Sequence, residues 1–226
     1  MEAGADPLQT DERGETALQI VACYGQEDVL SLLLEAGSDA NSNSNDFRPP
    51  NLSACLRSSN VARVVQHLLD KGANHNLADG TGVTALHYIC RYNFRSEPIS
   101  TRDNLSAVRA LLKHGASVNA RQRDSKGNWV VTPLGLAAAH SNSSELIKLL
   151  LKASAESSGL SEGGKPAFIA YILSISCFWC AEHDSMLDTF LDHDPAIINQ
   201  HDGKGRTTLD WAFETHNNRA HEILIF

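Results

Sequence analysis

The chain has 226 residues, 42% hydrophobic and 20% charged, a composition typical of globular proteins with enough apolar side chains for a core. Its formal net charge of −8 provides no basic field for phosphates, so nucleic acids and anionic membranes are poor partners. Its five cysteines lack the spacing of a disulfide framework, and its acidic start is unlike a signal peptide. Both features predict an intracellular protein, cytoplasmic or nuclear.

A turn motif recurs along the chain, with Asp at its start, Gly three residues later and Thr two residues after the Gly. It begins at Asp11, Asp79 and Asp202, and a fourth segment carries the related Thr-Pro-Leu signature from Thr132. The Thr hydroxyl is suited to cap a helix that begins at the next residue. The chain is therefore predicted to repeat one helix–turn–helix element.

The positions equivalent to this Thr divide the chain into six repeats. Repeats two and five keep a helical pattern but lose most of the signature residues. Repeat three carries an insertion, FRSEPISTRD, which is predicted to lie between its two helices, and the next turn, RQRDSKGNWVV, is enlarged. The Thr-equivalent positions are Thr16, Pro50, Thr84, Thr132, Lys165 and Thr207, and the predicted repeats are 11–43, 44–78, 79–121, 122–156, 157–200 and 201–226.

The second helix of the first four repeats carries an apolar stripe at helical spacing, and in three of them it is followed by a Gly that can adopt a left-handed cap. One pair of helices cannot bury such a stripe alone, so neighbouring repeats are predicted to stack. The glycines are Gly37, Gly72 and Gly115; the stripe residues are Val29, Leu32, Leu33, Val61, Val64, Val65, Leu68, Leu69, Leu105, Val108, Leu111, Leu112, Leu146, Leu149 and Leu150.

These features resemble the ankyrin repeat, a turn and two helices with a Thr-Pro-Leu-His signature, which Thr84 to His87 matches as TALH. The resemblance covers nearly the whole chain and implies a single array, 1–226. The implied fold is an all-α solenoid of stacked helix–turn–helix units with short β-turn fingers. The implied function is a non-catalytic scaffold that binds a protein partner of unknown identity through a concave face, with no cofactor, metal or membrane.

In ankyrin repeats the His of this signature bonds the neighbouring turn. The equivalent residues elsewhere are Gln19, Gly135 and Asp210, which predicts weaker hydrogen bonding between adjacent turns.

The resemblance places candidate partner-binding residues on the turn tips and on the exposed side of the first helices. Because Trp, Tyr and Arg most often dominate interface energies, Trp129 in the enlarged turn is the leading candidate. Alternatively, Trp129 folds back over the core of the insertion. The full set is Arg13, Glu15, Tyr24, Arg91, Tyr92, Trp129, His140 and Arg206.

The stretch PAFIAYILSISCFWC, from Pro166 to Cys180, is apolar enough to suggest a membrane span, but it is shorter than the roughly 20 residues that a span needs. Its CxxC pair, Cys177 and Cys180, lacks a second close cysteine pair for zinc and the strand-to-helix context of a redox site. The stretch is therefore predicted to be the inner helix of repeat five, with buried structural cysteines. The predicted core residues are Phe168, Ile172, Ile175 and Phe178.

Three His-Asp pairs, at positions 183–184, 193–194 and 201–202, could suggest the ligands of a metal-dependent phosphohydrolase. Asp202 is already explained as the turn Asp of repeat six, and Asp194 falls where a second helix ends, which favours solvated turn residues. Two other functions stay open: an enzyme or accessory protein in a small-molecule pathway, using a pocket near repeat five, or a spacer between other domains. Since neither end supplies a polar capping repeat, we expect a fragment of a longer array, or ends that dock on something.

Overall fold

The computed structural model describes residues 6, 8–42, 49–57, 60–92, 98–123, 130–140, 143–175, 181–215, 222 and 224–225. Contacts group the chain into two compact units, Met1–Ile89 with Ser96–Ser117 and Cys90–Arg95 with Val118–Phe226. Each compact unit is described by itself.

The first helices of the repeats are α1 (Ala17–Tyr24), α3 (Pro50–Arg57), α5 (Ala85–Tyr92), α7 (Pro133–His140), α9 (Ala167–Ser174) and α11 (Thr208–Glu214). The second helices are α2 (Glu27–Glu35), α4 (Val61–Asp70), α6 (Pro98–Lys113), α8 (Ser144–Lys152) and α10 (Ala181–His193), the last followed by a 3₁₀ helix, Pro195–Asn199. Within the N-terminal compact unit α1 packs on α3 and α4 on α6; within the C-terminal one α7 packs on α9, α8 on α10 and α9 on α11. The predicted all-α solenoid of stacked helix–turn–helix repeats is confirmed.

A short antiparallel turn, here called a finger, precedes most of the first helices. Fingers one, three, five and six close at the pairs Thr10–Thr16, Ala78–Thr84, Leu160–Pro166 and His201–Thr207. In finger four the pairing extends to two strands, β1 (Gln122–Arg123) and β2 (Val130–Val131). The predicted β-turn fingers are therefore present.

The recurring Asp explains the shape of fingers one, three and six. In each of these fingers, Oδ1 of the Asp accepts hydrogen bonds from the backbone N–H groups of the residues two and four positions later, at 2.8–3.0 Å. The Gly between them has a positive φ, which residues with a Cβ rarely adopt. The Thr that follows caps the helix, because its hydroxyl accepts the N–H three residues on.

The predicted alignment of repeats two and five is wrong by one residue. Helix α3 begins at Pro50 and α9 at Ala167, so the Thr-equivalent positions are Pro49 and Pro166 rather than Pro50 and Lys165. The pairing of Leu160 with Pro166 matches that of Thr10 with Thr16. Both repeats lack the capping Thr, so the sequence motif could not fix their register.

The insertion in repeat three was predicted to lie between the two helices, and this is wrong for its second half. Its last residues, from Pro98 to Asp103, form the start of α6, and Pro is well suited to a first helical turn. Asp103 also accepts the N–H of Ala62 at the start of α4, at 3.2 Å. The insertion thus lengthens a second helix and ties it to its neighbour.

Most of the predicted stripe residues of α4, α6 and α8 are buried, but those of α2 are not. Leu30 is fully buried, whereas Val29 and Leu32 are exposed, so their predicted burial is wrong. Leu33, Leu112 and Leu149 are half-buried. A helical stripe has sides that face both neighbouring repeats, and periodicity alone does not reveal which side is covered.

The first part of the apolar stretch of repeat five forms α9, which ends at Ser174, so the predicted helix is present but shorter than the stretch. Phe168, Ile172 and Ile175 are buried, and the ring of Phe168 lies 5.3 Å from that of Phe190 on α10. Cys177, Phe178 and Cys180 lie outside the described residues. Among the residues that are described, no helix is both long and apolar enough to span a bilayer.

Candidate functional site

Finger five, residues 160–166, is held against repeat four by a direct backbone contact. In three other repeats the N–H of the Thr at the helix start is accepted by the side chain three residues on. In repeat four that position is Gly135, and the N–H of Thr132 is instead donated to the carbonyl of Leu160, at 3.0 Å. A Cβ on Gly135 would lie 2.0 Å from this carbonyl oxygen. The accepting side chains elsewhere are those of Gln19, His87 and Asp210.

The missing side chain of Gly135 therefore makes room for finger five. At this junction a backbone hydrogen bond joins the two repeats directly, and the weaker bonding between adjacent turns stays a prediction.

One side of finger five gathers charged groups from two earlier repeats. Glu162 Oε1 lies 2.5 Å from Arg91 Nη2 at the end of α5, and Glu162 Oε2 lies 3.4 Å from His140 Nε2 at the end of α7. All three side chains are partly exposed. Arg91 and His140 were predicted site residues, and the structure joins them through Glu162, which sequence reasoning missed.

The other side of finger five meets an aromatic ring of α11. Lys165 Nζ lies 5.0 Å from the centroid of the Trp211 ring, and the guanidinium carbon of Arg206 lies 3.8 Å from it. Both distances are within the range of cation–π attraction. Trp211 was also missed, although an aromatic residue in a first helix close to two basic turn tips was a usable signal.

Asp202 fixes Arg206 and Trp211 in place. This carboxylate is only 5% exposed and accepts the backbone N–H groups of Lys204 and Arg206. The Oδ2 atom of Asp202 also accepts hydrogen bonds from Nε and Nη2 of Arg206 and from Nε1 of Trp211, with donor–acceptor distances of 2.9–3.1 Å. Burial by itself raises the pKa of Asp202, but these hydrogen bonds outweigh it and lower the pKa to about 2.

Two predictions change as a result. Asp202 is a turn residue, as expected, but it is buried and bonded rather than solvated. Arg206 lies on a finger, as expected, but its guanidinium is already bonded to Asp202 and to Glu214, the latter at 3.2 Å.

Five further residues were predicted for the site, and of these the structure describes the side chains of three. Arg13 and Glu15 lie on finger one and Tyr24 is exposed at the end of α1, all in the N-terminal compact unit. The side chain of Tyr92 and the whole of Trp129 lie outside the described residues.

The described part of the chain contains no group of three or more His, Cys, Asp or Glu side chains able to hold a metal ion. Asp194 caps the 3₁₀ helix and accepts the hydroxyl of Ser157. Cys55 and Cys90 lie in first helices, as predicted, and burial raises the pKa of both thiols, which makes them unreactive.

Comparison with known proteins agrees with this architecture. A family model described as ankyrin repeats (3 copies) matches residues 1–79 and 52–159. The chain belongs to the ankyrin-repeat family. Members of this family are generally protein–protein interaction modules.

Individual relatives are more distant. Human neurogenic locus notch homolog protein 1 is 30% identical over 161 residues, which covers 57% of this chain and 6% of that protein. A fowlpox virus protein named as an ankyrin repeat protein is 29% identical over 136 residues, covering 60% of this chain and 36% of its own length. A Danio rerio protein named as palmitoyltransferase ZDHHC13 is 23% identical over 217 residues, covering 96% of this chain and 30% of its own. The ankyrin repeats described here thus span only a minor part of each relative.

Proposed function

We propose that this chain is a non-catalytic scaffold that binds a protein partner through a surface centred on finger five. This finger-five surface consists of Arg91, His140, Glu162, Lys165 and Trp211. The observation that carries the proposal is that one finger links a charged cluster on one side to an aromatic ring on the other. Trp and Arg are the side chains most enriched at the energetic centres of protein interfaces.

The rigidity of this surface supports the proposal. Finger five is fixed by the hydrogen bond between Thr132 and Leu160 and closed by Ser161 N–H, which donates to the carbonyl of Lys165 at 2.8 Å. A surface held in one conformation loses less entropy when a partner binds. Both signs of charge are present, so the partner would present polar and charged groups around an apolar contact to the ring.

The predicted residues of other repeats extend this proposal. Tyr24, Arg13 and Glu15 belong to the equivalent surface of repeat one, and Trp129 belongs to the enlarged turn. Their contribution to binding, through the concave face that the family resemblance implies, stays a prediction. An intracellular location, cytoplasmic or nuclear, is part of the same proposal and is supported by the five cysteines, which lack the spacing of a disulfide framework.

The test is affinity capture from cell extract with matched charge reversals, followed by titration calorimetry with the partner that is found. Lys165→Glu changes the finger-five surface, whereas Lys152→Glu makes the same change on an exposed site of α8. We expect the first variant to lose a partner that the wild type and the second variant both retain, with equal circular dichroism in all three. Equal binding by the two variants would contradict the proposed surface.

Trp129→Ala provides an independent test of the enlarged turn. We expect weaker binding with nearly unchanged helical circular dichroism and thermal stability, whereas loss of the fold would show that Trp129 is a core residue. The catalytic activity named for the Danio rerio relative is not carried over, because this chain covers 30% of that protein.

A further inference from the structure

Finger five differs from three other fingers at the residue that begins its turn. In fingers one, three and six this residue is the recurring Asp, and its Oδ1 accepts the backbone N–H groups two and four positions later. In finger five the position is Ser161, whose hydroxyl instead donates to the carbonyl of Lys165, at 3.0 Å. Finger five therefore lacks the carboxylate that bonds the turn in the other three.

The backbone of finger five nevertheless has the same hydrogen bonds as that of finger one. Ser161 N–H donates to the carbonyl of Lys165 at 2.8 Å and Gly164 N–H to that of Ser161 at 3.1 Å, and the equivalent groups of finger one do so at 2.9 Å. The N–H groups that match those bonded by the Asp belong to Gly163 and Lys165. In the part of the chain that the structure describes, neither of these two groups has an acceptor.

These two N–H groups, here called the finger-five donors, lie at a tip that a partner can approach. Gly163 is exposed, and a Cβ built on it would have no atom within 4 Å. Finger five lies between repeats four and six, so its exposure does not depend on what precedes or follows the sequence. Backbone N–H groups that point together from a turn form a concavity suited to an anion.

The charge beside the finger-five donors has the sign that an anion requires. Among the residues that the structure describes, the ammonium of Lys165 forms no ion pair with a carboxylate. The carboxylates of Glu162 and Asp202 already have cationic partners, in Arg91 at 2.5 Å and Arg206 at 2.9 Å. Lys165 is therefore a cation of this surface whose charge is left for a partner.

We propose that finger five binds a carboxylate from an acidic segment of the protein partner. One oxygen of that carboxylate accepts the finger-five donors, as Oδ1 of the Asp does in the other fingers, and the ammonium of Lys165 pairs with its charge. An apolar side chain beside the carboxylate packs against Trp211, which is partly exposed. This inference rests on the proposed function and adds the chemistry of the partner to it.

The first experiment compares two synthetic peptide libraries on the wild-type chain. In one library a Phe is flanked by Asp and Glu at varied positions, and in the other the same sequences carry Asn and Gln instead. We expect affinity selection to recover binders from the acidic library only, because a charged acceptor forms the stronger hydrogen bonds. Equal recovery from the two libraries, or no recovery from either, would overturn the proposal.

Substitutions then locate the carboxylate, by titration calorimetry with the tightest acidic peptide. Lys165→Gln should weaken binding at least about tenfold, whereas Lys152→Gln removes the same charge from an exposed site of α8 and should leave binding unchanged. Ser161→Asp supplies the missing carboxylate from within the chain, so it should weaken binding by at least as much, with wild-type circular dichroism. Binding by a folded Ser161→Asp variant that equals that of the wild type would contradict the proposal.

The amide proton shifts of the wild type give a reading that needs no substitution. When the acidic peptide binds, the amide protons of Gly163 and Lys165 should move downfield, whereas those of Arg13 and Glu15, which already donate to a carboxylate, should not. Unchanged shifts of the finger-five donors would refute the proposal. A partner that is lost in Lys165→Glu but binds through a neutral segment would also refute it, while leaving the proposed function intact.

Discussion

The carboxylate of Asp202 should stabilise repeat six by an amount that depends on pH. Its pKa is lowered from the ordinary 3.8 to about 2, which corresponds to about 2 kcal/mol of stabilisation in the ionised form. Since the folded pKa is the lower one, this contribution is complete above the unfolded pKa and is lost as the pH falls through 3.8 towards 2. Asp202→Asn removes the charge and the acceptor for Arg206 and Trp211. We therefore expect a loss of about 2 kcal/mol at neutral pH and about half of that near pH 3.

The measurement is denaturant unfolding followed by circular dichroism, together with hydrogen exchange of the finger-six amides, because a repeat array need not unfold as one unit. Asp11→Asn is the matched control. Asp11 occupies the same turn position on finger one but is exposed, and its carboxylate accepts the two backbone N–H groups of Arg13 and Glu15, so its loss should be below about 1 kcal/mol. Equal losses for the two variants, or a loss for Asp202→Asn that does not change with pH, would refute the reasoning.

Two further substitutions test the backbone. Gly135→Ala should destabilise the protein by about 1–3 kcal/mol, measured by thermal unfolding, because its Cβ would lie 2.0 Å from the Leu160 carbonyl oxygen; a gain in stability, which helix propensity alone predicts, would contradict the close approach. Ser154→Gly should stabilise it by up to about 1 kcal/mol, since Ser154 is the one residue other than Gly with a positive φ among those described; an unchanged melting temperature would contradict this.

The sequence predicted the repeat and its local chemistry well. The Asp-to-Thr turn motif, the helix that follows it and the Gly after the second helix all depend on groups within a few residues of one another, so their consequences could be worked out without the fold. The prediction of α9 and its core succeeded for the same reason, since a helical run with Phe168 and Ile172 on one side must bury that side.

What the sequence missed concerns contacts made by side chains in the folded array. Glu162 joins Arg91 to His140, two residues that lie far from it in the sequence, and nothing in their spacing indicates this meeting. The sequence likewise does not show that the buried carboxylate of Asp202 is bonded to Arg206; the predicted role of Arg206 in partner binding stays a prediction.

By itself, the sequence determined that this protein is a stack of helix pairs with hydrogen-bonded turns, because those features arise from short-range sterics and capping. Only the tertiary structure decided the register of repeats two and five, the space that Gly135 leaves for finger five, and which apolar side of α2 stays exposed. Each of these depends on how closely one repeat approaches the next, and that distance is set by all the side chains of the junction together.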